Sequence, residues 1–120
     1  MIIKSPLAER KEIFFMEKNR KIINASIAIQ VLPNVRDSKE TVRIVDEVIA
    51  YIQSRNLKTH VGPFETTVEG NYEELMEIIK ECQVVAVKAG APGVMSYIKI
   101  NYKPEGEILT IEQKISRYSR

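Results

Sequence analysis

The chain has 120 residues, 44% hydrophobic and 28% charged, with a net charge of +2 and an isoelectric point near 8.7. Those values fit one globular domain large enough to bury a core, and so small a charge excess argues against a nucleic-acid binder or a membrane-surface protein. Cys82 is the only cysteine, which rules out an internal disulfide and a CxxC site; no run nears the roughly 18 apolar residues of a membrane-spanning helix, and no signal peptide is recognisable, so a cytoplasmic protein is expected.

Residues 1–21 read as an N-terminal extension, and residues 22–120 as the domain proper. Ile13-Phe14-Phe15 is apolar, but charge surrounds it and no clean period appears. Met16 stands where a compact domain would begin, and Glu9-Arg10-Lys11-Glu12 can be encoded wholly by purine codons, as a ribosome-binding site would be. The first expectation is therefore a translated upstream region with Met16 as the native start. The rival is an arm that docks on a neighbouring subunit through Phe14 and Phe15.

Asn24 to Leu32 alternates, with Ile27, Ile29 and Val31 on one side and Ser26, Ala28 and Gln30 on the other. This is a strand with one face in the core, ended by Pro33. Asp37 with Glu40 has capping-box spacing ahead of a helix whose apolar side is Val42, Val45, Val48, Ile49 and Ile52. That helix stops near Ser54 to Asn56. Lys58 to Phe64 is a second strand bent by Gly62-Pro63, and Thr66 to Glu69 a third. Asn71 with Glu74 starts a second helix, lined by Leu75, Ile78, Ile79, Cys82, Ala86 and Ala89 and stopped by Gly90. Val94 to Tyr102 is the fourth strand, with Ile98 and Ile100 on the core side and Tyr97 and Lys99 opposite. Thr110 with Gln113 caps a short terminal helix running to about Tyr118.

The order βαββαβ plus a helix predicts an α+β, ferredoxin-like sandwich. Right-handed crossovers put two helices on one face of a four-stranded antiparallel sheet. The other face, carrying Ala, Met and Tyr beside polar residues, is left uncovered and invites a partner sheet, so a homo-oligomer is expected.

Several chemistries are missing. The predicted central strands, Asn24 to Leu32 and Thr66 to Glu69, hold no aromatic residue for stacking RNA bases. Leu32-Pro33-Asn34-Val35-Arg36 has an arginine but no glycine, unlike an acylphosphatase-type loop. Neither a P-loop nor GxSxG is present. His60, the only histidine, reads as a surface or hydrogen-bonded residue, and no second soft ligand supports a transition-metal site. Cys82 sits on an apolar helix side as a small core residue. No nucleophile, base and orienting group come together, so no catalysis and no cofactor are expected.

What is unusual is the strand-borne polarity of Val61-Gly62-Pro63-Phe64-Glu65-Thr66-Thr67-Val68-Glu69-Gly70. Glu65, Thr67 and Glu69 share one face; Thr66 and Val68 take the other. With Gln30 on the neighbouring strand, these groups suit a flat heterocycle bearing amino groups, or an organic cation. Tyr97 could stack on it or make a cation–π contact. The plain alternative is that Thr66 and Thr67 are β-formers and Glu69 a solvated residue at a strand end.

The run Val61-Gly62-Pro63-x-x-Thr66-Thr67-Val68-Glu69-Gly70, followed by Glu73-Glu74-Leu75-Met76, resembles the thiamine-binding protein family, also known as the YkoF-like or UPF0045 (DUF77) family. Ile27 to Pro33, Ile98 to Tyr102 and Thr110 to Lys114 look like that family's first strand, last strand and terminal helix, although Asn101 stands where its pattern often has Asp. The resemblance implies dimers or tetramers assembled through the sheets. It also implies non-catalytic binding of thiamine or its hydroxymethylpyrimidine part. Carried over by position, the ligand-binding residues are Gln30, Thr66 and Glu69, then Thr67, Tyr97 and Lys99. Lys99 would repel a cationic thiazolium unless it pairs with a carboxylate. Two other readings stand beside this one: a structural or regulatory oligomer without a small ligand, and an enzyme acting on a phosphorylated small molecule with Lys99 and Arg36 as anion contacts.

Overall fold

A computed structural model describes residues 22–118 of the chain; the extension expected over residues 1–21, with its Met16 start or docking arm, lies outside the described residues. Strands β1 (Ala25–Pro33), β2 (Lys58–Val61), β3 (Thr66–Gly70) and β4 (Val94–Tyr102) form one antiparallel sheet in the order β2-β3-β1-β4. Helix α1 (Ser38–Ser54) links β1 to β2, and α2 (Tyr72–Lys88) links β3 to β4. Each connection skips one strand, so the two βαβ halves interlock as in a ferredoxin-like sandwich.

The alternation of β1 builds the core. Ile27, Ile29 and Val31 are buried with Val68 of β3, and both helices close over them through Ile44, Val48 and Ile52 of α1 and Leu75, Ile78, Cys82 and Ala86 of α2. On α1 the sequence reading was off by part of a turn. Val42 is exposed and Ile44 fully buried, because the inward stripe runs through 44, 48 and 52 at four-residue steps. Burial, reinforced by the neighbouring Glu81 carboxylate, pushes the Cys82 thiol up to about 12, so it stays protonated as a core residue.

Local signals set the boundaries. Asp37 accepts from the Lys39 amide at 2.9 Å and Asn71 from the Glu73 amide at 3.0 Å. Asn24 adds a second cap, its Oδ1 accepting from the Tyr72 amide at 2.9 Å. Gly90 ends α2 with φ of 121°, a left-handed geometry that favours glycine. The second strand is shorter than expected. It ends at Val61, because the Gly62 N–H donates to the Glu65 carbonyl at 2.9 Å and turns the chain into β3.

The face away from the helices is not bare along its whole length. Helix α3 (Ile111–Ile115), followed by a 3-10 turn at Ser116–Tyr118, has Ile111 buried and lies beside Ser26 and Ala28, which are buried too. The far end of that face stays open, with Leu32, Met95 and Tyr97 exposed. Among the described residues no helix is long and apolar enough to cross a membrane.

Candidate functional site

Two clefts flank the Gly62–Glu65 turn, one on each face of the sheet. The first lies on the helix side, where β1, α1 and the turn meet, and holds about 200 Å³. The turn can take this shape because residue 62 is glycine: a Cβ there would sit 3.0 Å from the Glu65 carbonyl oxygen. It carries Phe64 at the cleft rim with 79% of its surface exposed. Thr66 opens β3 on the helix side, only 6% exposed, and its hydroxyl makes no hydrogen bond among the described residues. Gln30 of β1 borders the cleft, half-buried, with its side chain directed by alternation to the other face of the sheet, and Thr41 contributes from the first turn of α1. Val45 and Ile49 of α1 supply the apolar wall, and Glu65 is the one ionisable residue of the lining.

The second cleft, about 300 Å³, lies on the opposite face under α3. Its geometry follows from register, which sets His60, Thr67, Ala28 and Lys99 in one row across the four strands. Because Ala28 is small, Lys99 reaches over it and its ammonium sits 3.4 Å from Glu65 Oε1. Lys114, Ile111 and Ile115 of α3 close the other side.

Helix α3 is held over this cleft by two acids of different kinds. Glu69 is 5% exposed and its Oε2 accepts from the Ile111 N–H at 2.9 Å, capping the helix from the sheet. Glu112 pairs with Lys58 at 2.8 Å in the open. That hydrogen-bonded pair lowers the Glu112 pKa and raises that of Lys58. The Thr110–Gln113 capping box forms with both of its bonds, at 3.1 and 2.8 Å.

The six residues marked by the sequence therefore separate. Gln30 and Thr66 line the helix-side cleft; Thr67 and Lys99 line the open-face cleft. Glu69 is occupied in capping α3, and Tyr97, 60% exposed, lines neither cleft. The carboxylate that Lys99 required is Glu65, which borders both clefts. Phe64, Thr41 and Lys114 escaped the sequence reading. Phe64 had a signal, a large aromatic residue beside a Gly-Pro turn; Thr41 and Lys114 had none, because their roles depend on how helices pack. No group of three His, Cys, Asp or Glu residues among the described residues could hold a metal ion.

Comparison with known proteins agrees with this architecture. Residues 27–119 match the family model for thiamine-binding proteins. The chain belongs to the thiamine-binding protein family. A UPF0045 protein of Clostridium perfringens is 42% identical over 93 residues, which is 78% of this chain and 95% of that one. A Streptococcus pneumoniae crystal structure aligns with a TM-score of 0.67 and 44% identity, covering 78% of this chain and 99% of the other. A Thermotoga maritima protein, named for a proposed part in thiamine biosynthesis or salvage, aligns with a TM-score of 0.70 and 35% identity over 79% of this chain and 98% of its own. In this thiamine-binding family member the matched span contains the helix-side cleft, the open-face cleft apart from Ser26, and the helix whose Ile111 amide Glu69 accepts.

Proposed function

We propose that the protein binds thiamine or its hydroxymethylpyrimidine part without catalysis, in the helix-side cleft, as a cytoplasmic homo-oligomer. The observation that carries this reading is Thr66, a residue only 6% exposed whose hydroxyl has no partner among the described residues, in a cleft it shares with Glu65 and Phe64. A hydrogen bond between that hydroxyl and a ligand amine or ring nitrogen would contribute about 0.5–1.5 kcal/mol. Glu65 can accept from the exocyclic amine of an aminopyrimidine, and Phe64 offers a face for stacking.

Charge favours this cleft over the other. Its sole ionisable residue is Glu65, which also pairs with Lys99 at 3.4 Å, whereas the open-face cleft adds the unpaired ammonium of Lys114, which would repel a thiazolium. Size supports the pyrimidine as the buried part. About 200 Å³ falls below the roughly 300–1,000 Å³ of ordinary small-molecule pockets, so one ring enters and the rest of thiamine lies at the rim near Phe64. For self-association, the exposed Leu32, Met95 and Tyr97 at the bare end of the sheet supply an apolar patch fit for a second copy.

Calorimetric titration with thiamine, its phosphates and hydroxymethylpyrimidine tests the reading. Thr66→Val should weaken binding by about 1–3 kcal/mol and leave the fold intact, since valine keeps the shape. No heat and no thermal shift at millimolar ligand would overturn ligand binding and leave a structural or regulatory oligomer. Unchanged affinity in Thr66→Val would move the site elsewhere.

A further inference from the structure

We propose that the open-face cleft under α3 is a second, independent site, and that it takes the phosphate group of a small phosphomonoester. Each of the acids on this face is engaged: Glu65 with Lys99 at 3.4 Å, Glu69 with the Ile111 amide at 2.9 Å and Glu112 with Lys58 at 2.8 Å. The polar side chains left over in the lining are Lys114, which only donates, and Ser26, His60, Thr67 and Asn101, which can donate or accept. Lys114, the His60 ring and the Thr67 hydroxyl make no hydrogen bond and no close ion pair among the described residues. Ser26, 7% exposed, adds a hydroxyl without a partner. Glu65 offsets Lys99, so Lys114 leaves the lining with an uncompensated positive charge beside groups able to donate, which suits a negatively charged acceptor.

The arrangement suits a phosphate better than a single carboxylate. Donors come from three elements, His60 on β2, Thr67 on β3 and Lys114 on α3, with Lys99 on β4 at the rim. An anion with three terminal oxygens can meet donors converging from several sides. The wall of Ile111 and Ile115 gives an apolar body room beside the charged head. One ligand cannot fill both clefts, because the sheet lies between them.

Amide-resolved NMR titration of the full chain separates the outcomes. Inorganic phosphate and phenyl phosphate should both shift amides at Ala28, Thr67 and Ile111–Ile115 saturably, the ester more tightly because its ring meets the isoleucine wall. Benzyl alcohol, and sodium chloride at matched ionic strength, should not. Lys114→Gln with Thr67→Val should weaken phosphate binding by about tenfold or more, the loss of charge-assisted hydrogen bonds. Thr66→Val should leave it unchanged, so failure of the helix-side reading and failure of this one are told apart. Shifts spread over all lysines, equal shifts with chloride, or affinity unaltered in the double variant would overturn the proposal.

Discussion

The two faces of β1 differ in what their side chains are for. Toward the helices it presents Ile27, Ile29 and Val31, all buried against apolar partners. Toward the other face it presents Ser26, Ala28, Gln30 and Leu32, which pass from buried to exposed along the strand. The helix face is closed by area, since burial of apolar surface needs no orientation. The opposite face is closed at one end only, and by directed bonds: Glu69 to the Ile111 amide and Lys58 to Glu112. A face closed by directed bonds keeps polar groups in reach of solvent, and both candidate clefts border such groups.

The sharpest way to break this contrast is to cut each face in turn. Ile27→Ala should cost about 2–5 kcal/mol of stability in denaturant unfolding, as loss of a fully buried aliphatic group does. Tyr97→Ala on the open end should stay within about 0.5 kcal/mol. Met95→Glu with Tyr97→Glu should turn an oligomer into monomer on light-scattering chromatography while the unfolding midpoint of the monomer holds. A large stability loss from the Tyr97 change would mean that the open face also serves as core.

Glu69→Leu comes next in size. It leaves the Ile111 N–H without its acceptor and should cost about 1–3 kcal/mol. The loss should appear as faster amide exchange at Ile111–Ile115 with β1 and β3 still protected. Thiamine binding should survive, because Glu69 lies away from the helix-side cleft. Affinity that falls while α3 stays protected would return Glu69 to the ligand and defeat the anchoring role.

Glu69 also marks the limit of what the sequence discloses. Alternation of Ile27, Ile29 and Val31, the caps at Asp37, Asn71 and Thr110, and Gly90 at the end of α2 are local, so strands and helices can be read from neighbours in the chain. The division of Thr66 from Thr67 and Glu69 follows from strand geometry alone and stands in the structure. The partner of Glu69 lies 42 positions away, on a helix whose placement no periodicity reveals. The same holds for Thr41 beside Thr66 and for Lys114 beside Thr67, which only tertiary packing brings together. A residue type suited to a ligand and one suited to a cap look alike until the neighbour is known.

The smallest effect expected concerns the exposed tie on α3. The hydrogen bond from Lys58 lowers the Glu112 pKa from its ordinary 4.5, so the unfolded chain takes up that proton at higher pH than the folded one. The contribution of the pair is thus complete above about 4.5 and fades as pH falls through the lowered value. At the other extreme Lys58 is raised above 10.5, so the same contribution is complete below that value and fades as pH rises through the raised one. Both groups are exposed, and salt screens them. The melting-temperature difference between wild type and Lys58→Met should therefore be small and flat across neutral pH, shrink below about 4.5, and nearly vanish in molar salt. The Glu69→Leu difference should survive molar salt, because its bond to the Ile111 amide is buried. Equal salt sensitivity of the two variants would mean that α3 rests on surface charge at both ends rather than on one buried cap.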